Sequence, residues 1–156
     1  RDIESEDVGA AVLYFQNGAI GVIEAATTIY PRNLEETLSI FGETGTAVIG
    51  GVAINRMKYW RFADGRDIEA EVVDAHNAPE PPTVYGHGHR PLLQNVVNTI
   101  LEKETLVVDG HEGRKALEII LAMYLSAEKG EMVEVPLEET PSKIAEGQRS
   151  LTGHGG

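Results

Sequence analysis

Cysteine is absent from the 156 residues. That absence removes disulfides, thiolate zinc sites and cysteine nucleophiles together. Positive charge is scarce. Lys and Arg total 13 against 25 Asp and Glu, a net charge of −12. A phosphate backbone needs clustered Lys and Arg, and the basic residues here are scattered, so nucleic acid is excluded as the expected partner. Anionic membrane surfaces are disfavoured for the same reason. Long hydrophobic runs are missing too, and no stretch approaches the roughly 20 apolar residues of a spanning helix. The opening Arg1-Asp2-Ile3-Glu4-Ser5-Glu6-Asp7 carries no secretion signal. The cytoplasm is therefore the expected compartment. The first methionine is Met57, so the expectation is a piece of a longer polypeptide.

What is present is an ordinary globular composition, 42% apolar and 24% charged. A chain of this length buries roughly 70% of its unfolded surface, enough for one core. The first half reads as strands. Ala11–Phe15 and Ala19–Ile23 flank Asn17-Gly18. Asn-Gly between apolar runs signals a type I′ hairpin, with positive φ at both central residues. Val12 and Tyr14 point to one face and Leu13 and Phe15 to the other. An antiparallel strand with one covered face should alternate, so both faces are expected to be covered. Leu34–Phe41 alternates better and reads as a strand. Gly42–Gly45 turns into a strand at Thr46–Ile49, and Lys58–Phe62 is another. The proline-bearing run through Asn77–Pro82 reads as a surface loop.

The second half turns helical. Leu92, Leu93, Val96, Val97, Ile100 and Leu101 form one apolar stripe. Asp109 with Glu112 is a capping-box variant that starts a second, more buried helix, ending at Gly130. Met132–Leu137 reads as a last strand, with Pro136 suiting an edge. The polar, Gly-rich run 138–156 is expected to be a loosely held tail behind a domain at 1–137. The pattern predicts an α+β fold: a mostly antiparallel, open-faced sheet with helices on one face. Its other face is expected to pack in a homo-oligomer interface.

Chemistry-bearing motifs are few. Gly86-His87-Gly88 begins a dinucleotide fingerprint, but Pro91 stands where the third glycine belongs. No P-loop lysine follows a glycine run, and Gly-x-Ser-x-Gly is absent. No cofactor-binding or catalytic residue is assigned. His87 and His89 could ligate a metal with His76, His111, Asp74 or Asp109, but spacing sets no third ligand and no metal is assigned. A plain polar loop is the bland alternative. The favoured reading is substrate-facing, because histidines at a helix start can donate to hydroxyls or anions. Tyr30, Arg32 and Asn33 are the second substrate-binding candidates, within a polar stretch offering hydroxyl, guanidinium and amide groups. A simple connecting loop would also carry them. Glu35, Glu36, Glu138 and Glu139 read as solvated faces.

The order of segments resembles the C-terminal domain of the Gfo/Idh/MocA oxidoreductases, the family of glucose–fructose oxidoreductase and inositol dehydrogenase. The similar pieces are Asp7–Gly21, Ile40–Thr46, Gly88-His89-Arg90, Val107–Glu118, Tyr124–Ala127 and Val133–Leu137. The resemblance implies a parent enzyme with an N-terminal Rossmann domain. That domain would carry NAD or NADP and a lysine assisting proton transfer, and the parent enzyme would act on a sugar, cyclitol or related secondary alcohol. This chain has neither that domain nor the Asp-x-x-x-His helix that supplies the family's catalytic histidine. Taken alone it is expected to be inactive and to bind no cofactor. The family often has Asp where Asn95 stands. By resemblance, the open sheet face is the oligomer interface, and His89 and Tyr30–Asn33 lie near the substrate. The other reading is a non-catalytic carbohydrate-binding or assembly module.

Overall fold

The computed structural model describes residues 6–65, 69–75, 77, 79, 81, 83, 85–139 and 141. His76 and all but three positions of the expected tail lie outside the described residues. The chain divides into two compact units, Arg1–Thr105 and Leu106–Gly156.

In the first unit, β1 (Val8–Tyr14) pairs antiparallel with β2 (Ile20–Ala26), Val12 opposite Val22 and Tyr14 opposite Ile20. The Asn-Gly hairpin is present, but its turn differs from the expected type I′. Phe15 N–H donates to the Ala19 carbonyl at 3.0 Å, and Gly18 N–H donates to the Phe15 carbonyl at 2.9 Å. Gly18 is left-handed at φ +86°, whereas Asn17 keeps a negative φ. This is a type I turn followed by a left-handed glycine, the three-residue hairpin solution. The register decides it: pairing Phe15 with Ala19 leaves three residues to bridge. Asn17 serves through its side chain, accepting the Ala19 N–H at 3.1 Å.

One face of this ribbon is strongly exposed. Val8, Val12, Tyr14, Ile20 and Val22 lie on it, Val12 at 55% and Val22 at 76% exposure. Leu13 and Ile23 on the other face are half-buried.

A second, three-stranded antiparallel sheet has the order β3 (Leu38–Phe41), β4 (Gly45–Gly50), β5 (Arg56–Phe62). The expected strand from Leu34 starts four residues late. Glu36 N–H is drawn to the Gly51 carbonyl, and the Glu35 carboxylate accepts the Gly51 N–H at 2.9 Å. Residues 34–37 therefore lean on the end of β4 instead of entering the ladder. Glu35 is not simply solvated, since Lys58 Nζ pairs with it at 2.5 Å. Gly45 sits beneath the Phe62 ring, where an added Cβ would meet Phe62 Cδ1 at 2.3 Å. Phe62 in turn packs on Trp60 at 5.0 Å between centroids.

Helix α1 (Glu69–Ala75) falls where the sequence reads as turn and loop. Arg61 Nε donates to both oxygens of Glu69 at 2.8 Å, anchoring the first turn to β5. Two helical turns are too short for a periodic signal, so only this tertiary pair reveals the element. Helix α2 (His89–Ile100) begins earlier than its apolar stripe, with Pro91 in the first turn, where its missing N–H costs nothing. An apolar stripe on a helix ordinarily faces a core. This one is exposed instead, from Val96 at 36% to Ile100 at 75%, because the described elements offer it little cover.

The second unit is built on α3 (Gly110–Lys129). Asp109 caps it, its Oδ1 accepting the N–H groups of His111 and Glu112 at 2.9 Å each. Gly130 closes it in the left-handed conformation at φ +70°. Ala122 and Leu125 are its buried residues. The expected strand at Met132–Leu137 is not formed. Leu137 N–H donates to Glu118 Oε1 at 2.9 Å, and Pro136 has no N–H to offer a neighbouring strand. The segment runs along α3, fastened also by Ser126 Oγ to the Glu131 carbonyl and by Lys129 to Glu139.

The architecture is α+β, with antiparallel sheets and helices. Among the described residues, no helix is long and apolar enough to cross a membrane.

Candidate functional site

Two segments of the first unit carry the candidate residues. The first is the connection from β2 to β3. Its ends are fixed. Thr27 N–H donates to the Asp7 carbonyl at 2.8 Å, and Glu35 holds Gly51 and Lys58 at the far end. The lysine and the Gly51 N–H keep the Glu35 carboxyl below the usual value of 4.5. Between these anchors the tip is open: Tyr30 is 92% exposed, and Arg32 and Asn33 are exposed as well. Hydroxyl, guanidinium and amide groups are thus presented together on a short tether.

The second segment leads into α2. Gly86 is left-handed at φ +63°, and its N–H donates to the Thr83 carbonyl at 3.2 Å. His87, Gly88, His89 and Arg90 follow, all exposed. The Tyr85 ring meets the His89 ring edge-on at 6.1 Å. Gly88 occupies the N-cap of α2 and supplies no side-chain cap. Among the described residues no side chain caps the first N–H groups of the helix, and His87, His89 and Arg90 lie beside that end in sequence. Such an end favours an anion or a hydroxyl-rich ligand. Of the described residues between Ala75 and Gly86, none is in a strand.

Described contacts join the histidine segment to the β4–β5 turn. Ala53 Cβ lies 3.0 Å from where a Cβ on Gly86 would stand. Asn55 Oδ1 accepts the Ala53 N–H, and Asn55 Nδ2 donates to the Pro79 carbonyl, each at 3.4 Å. Sequence reading passed over Ala53, Asn55 and Tyr85, since none belongs to a motif.

The far end of α2 is organised by Asn95. Its Nδ2 donates to Glu104 Oε2 and to the Thr105 carbonyl, both at 3.0 Å. Asn98 Nδ2 donates to Glu104 Oε1 at 3.0 Å, and Gln94 Nε2 to Asn98 Oδ1 at 3.0 Å. An amide at position 95 has the donor that this carboxylate needs.

The second unit has a cleft of about 230 Å³ lined by Arg114, Leu117, Glu118, Leu121, Leu137, Glu138 and Glu139. Glu118, facing Arg114 Nη2 at 3.8 Å, already holds Leu137. The cleft is a packing seam between α3 and the segment fastened along it. No group of three or more His, Asp or Glu able to hold a metal ion occurs among the described residues.

Comparison with known proteins gives a consistent picture. A family model described as "Oxidoreductase family, C-terminal alpha/beta domain" (GFO_IDH_MocA_C) matches residues 1–135. No curated protein sequence matches the chain. Among solved structures, the chain is similar to the WlbA dehydrogenase from Bordetella pertussis in complex with NADH and UDP-GlcNAcA. The identity is 38% and the TM-score 0.75, covering 88% of this chain and 39% of that one. It is similar also to WlbA from Chromobacterium violaceum in complex with the same two ligands. There the identity is 36% and the TM-score 0.72, covering 89% of this chain and 38% of that one. The chain thus spans about two fifths of the length of each.

Proposed function

The chain belongs to the Gfo/Idh/MocA oxidoreductase family as its C-terminal α/β domain, and from that premise we propose that it is the substrate-side and oligomerisation domain of an NAD-dependent sugar dehydrogenase. The parent enzyme oxidises a secondary alcohol of a sugar or reduces the matching ketone. The substrate class with most support is a nucleotide-linked sugar acid. The observation that carries this is the 36–38% identity, over nearly nine tenths of this chain, to two dehydrogenases in complex with NADH and UDP-GlcNAcA.

The geometry supports a binding role. Tyr30, Arg32 and Asn33 sit on an anchored loop with an open tip. Arg32 suits a carboxylate or phosphate. His87 and His89 flank an uncapped helix start suited to hydroxyls and anions. The nicotinamide supplies the redox step when bound, and it belongs to the Rossmann half of the parent. This chain's residues bind and orient the sugar and take no part in the electron transfer. The exposed ribbon face of Val8, Val12, Tyr14, Ile20 and Val22 supports the oligomer reading. Under that reading, Val22→Glu lowers the mass seen by light scattering, and an unchanged mass would refute it.

The direct test is a pair of titrations on this chain, one with NADH followed by fluorescence and one with UDP-GlcNAcA followed by calorimetry. The expected result is no NADH binding up to about 1 mM, against a UDP-GlcNAcA affinity that His89→Ala and Arg32→Ala each weaken about tenfold, roughly 1.4 kcal/mol. Saturable micromolar NADH binding would overturn the division of labour. UDP-GlcNAcA binding indifferent to both substitutions would overturn the site.

A further inference from the structure

The β4–β5 turn, Gly51–Asn55, carries backbone strain. Gly51 has φ +99° and Ile54 has φ +52°. A β-branched residue in the left-handed region is a genuine outlier, held only where its surroundings over-determine it. The surroundings here are specific. Asn55 Oδ1 fixes the Ala53 N–H, and its Nδ2 reaches the Pro79 carbonyl, 24 residues along the chain. Ala53 then abuts Gly86, the left-handed residue that opens the histidine segment. A Cβ on Gly86 would stand 3.0 Å from Ala53 Cβ and 3.6 Å from the Ala53 carbonyl oxygen. Backbone therefore packs directly on a small side chain, leaving no slack at that contact.

We propose that the β4–β5 turn is the buttress that positions His87 and His89 for substrate, with Ala53 and Gly86 as the positioning residues. The inference rests on the substrate-side reading above. The logic is geometric. A loop glycine has many backbone states. Contact with Ala53 and the Thr83 carbonyl selects one of them. That choice sets where the chain enters α2, hence where the imidazoles and the uncapped N–H groups sit. Neither positioning residue has a side-chain group able to bind ligand. Their effect must pass through the histidines.

The test uses imidazole proton–carbon NMR spectra of this chain carrying G86A, A53V, or G86A with A53G. UDP-GlcNAcA affinity is measured on the same samples. His111, in the other unit, is the internal reference. G86A is expected to move the His87 and His89 signals, leave His111 in place and weaken binding about tenfold, the loss expected when one hydrogen bond to the ligand is misaligned. Adding A53G removes the Cβ–Cβ collision and returns signals and affinity part of the way. A53V presses on Gly86 from the opposite side while leaving the residue at 86 unchanged, and is expected to act in the same direction even if G86A fails to fold. Unmoved His87 and His89 signals in A53V, or a double variant no better than G86A, would overturn the inference. A wild-type chain that binds no UDP-GlcNAcA would instead refute the substrate reading. The ring signals would then still decide whether the turn positions the histidines.

Discussion

Asn95 offers the sharpest energetic test. Its side chain donates to Glu104 and to the Thr105 carbonyl at 3.0 Å each. Asn95→Asp removes both donors and sets a second carboxylate against the first. A hydrogen bond to a carbonyl contributes about 0.5–1.5 kcal/mol and one to a carboxylate about 1.5–3 kcal/mol, and partial exposure favours the low ends, about 2 kcal/mol together. Like charges near 3 Å in a water-like dielectric add about 1 kcal/mol, less as the side chains rotate apart. The expected loss is about 2–3 kcal/mol, or roughly 10 °C in Tm for a unit near 100 residues. Thermal unfolding by circular dichroism at pH 7 reads it. The deficit should shrink in acid, where the introduced carboxyl is neutral and can donate. It should also shrink at pH 7 when Glu104→Gln is added, because the new amide supplies the missing donor. A variant as stable as wild type, or one that Glu104→Gln does not rescue, would refute the reasoning.

Two further substitutions probe the sheet. Gly45→Ala places a methyl group 2.3 Å from Phe62 Cδ1 and 2.8 Å from the Arg61 carbonyl. Overpacking of this kind costs about 1–3 kcal/mol, and urea unfolding should show the midpoint falling with an unchanged slope. Glu35 has its carboxyl held below 4.5 by Lys58 and the Gly51 N–H. A depressed folded value means stabilisation that is complete above the ordinary carboxylate range and is lost as pH falls through the lowered value. Glu35→Gln should therefore be less stable than wild type at pH 7, with the two Tm curves converging in acid. Parallel curves across that window would show that the pair contributes nothing.

Much of the local structure was legible in the residues because its causes are local. Asn17-Gly18 marks the first hairpin, since a left-handed residue is needed there and Gly18 takes it at φ +86°. Asp109 and Gly130 bound α3 because a carboxylate satisfies the first N–H groups and a glycine tolerates the left-handed close. The failures share one feature. Each depends on a partner remote in sequence. The turn around Asn17 took its type from the pairing of Phe15 with Ala19, a matter of register. Residues 34–37 left the strand because Gly51 and Lys58 claimed Glu35. Met132–Leu137 has strand-like alternation, but Glu118 on α3 took its backbone donor.

The same division runs through the candidate site. Tyr30, Arg32, Asn33, His87 and His89 were nameable from residue type and setting, because hydrogen-bonding side chains in glycine- and proline-marked loops are visible in one dimension. Family membership was legible too, since six short motifs kept their order along the chain. What holds the histidine segment was not. Ala53 and Asn55 are unremarkable letters until folding puts the Ala53 methyl against the left-handed Gly86. The sequence by itself determined which elements form and which chemical groups the chain can offer, because propensity, capping and turn chemistry act within a few residues. Only the tertiary structure decided which carboxylate, carbonyl or methyl each of them meets, because those contacts join positions tens of residues apart and no local preference encodes them.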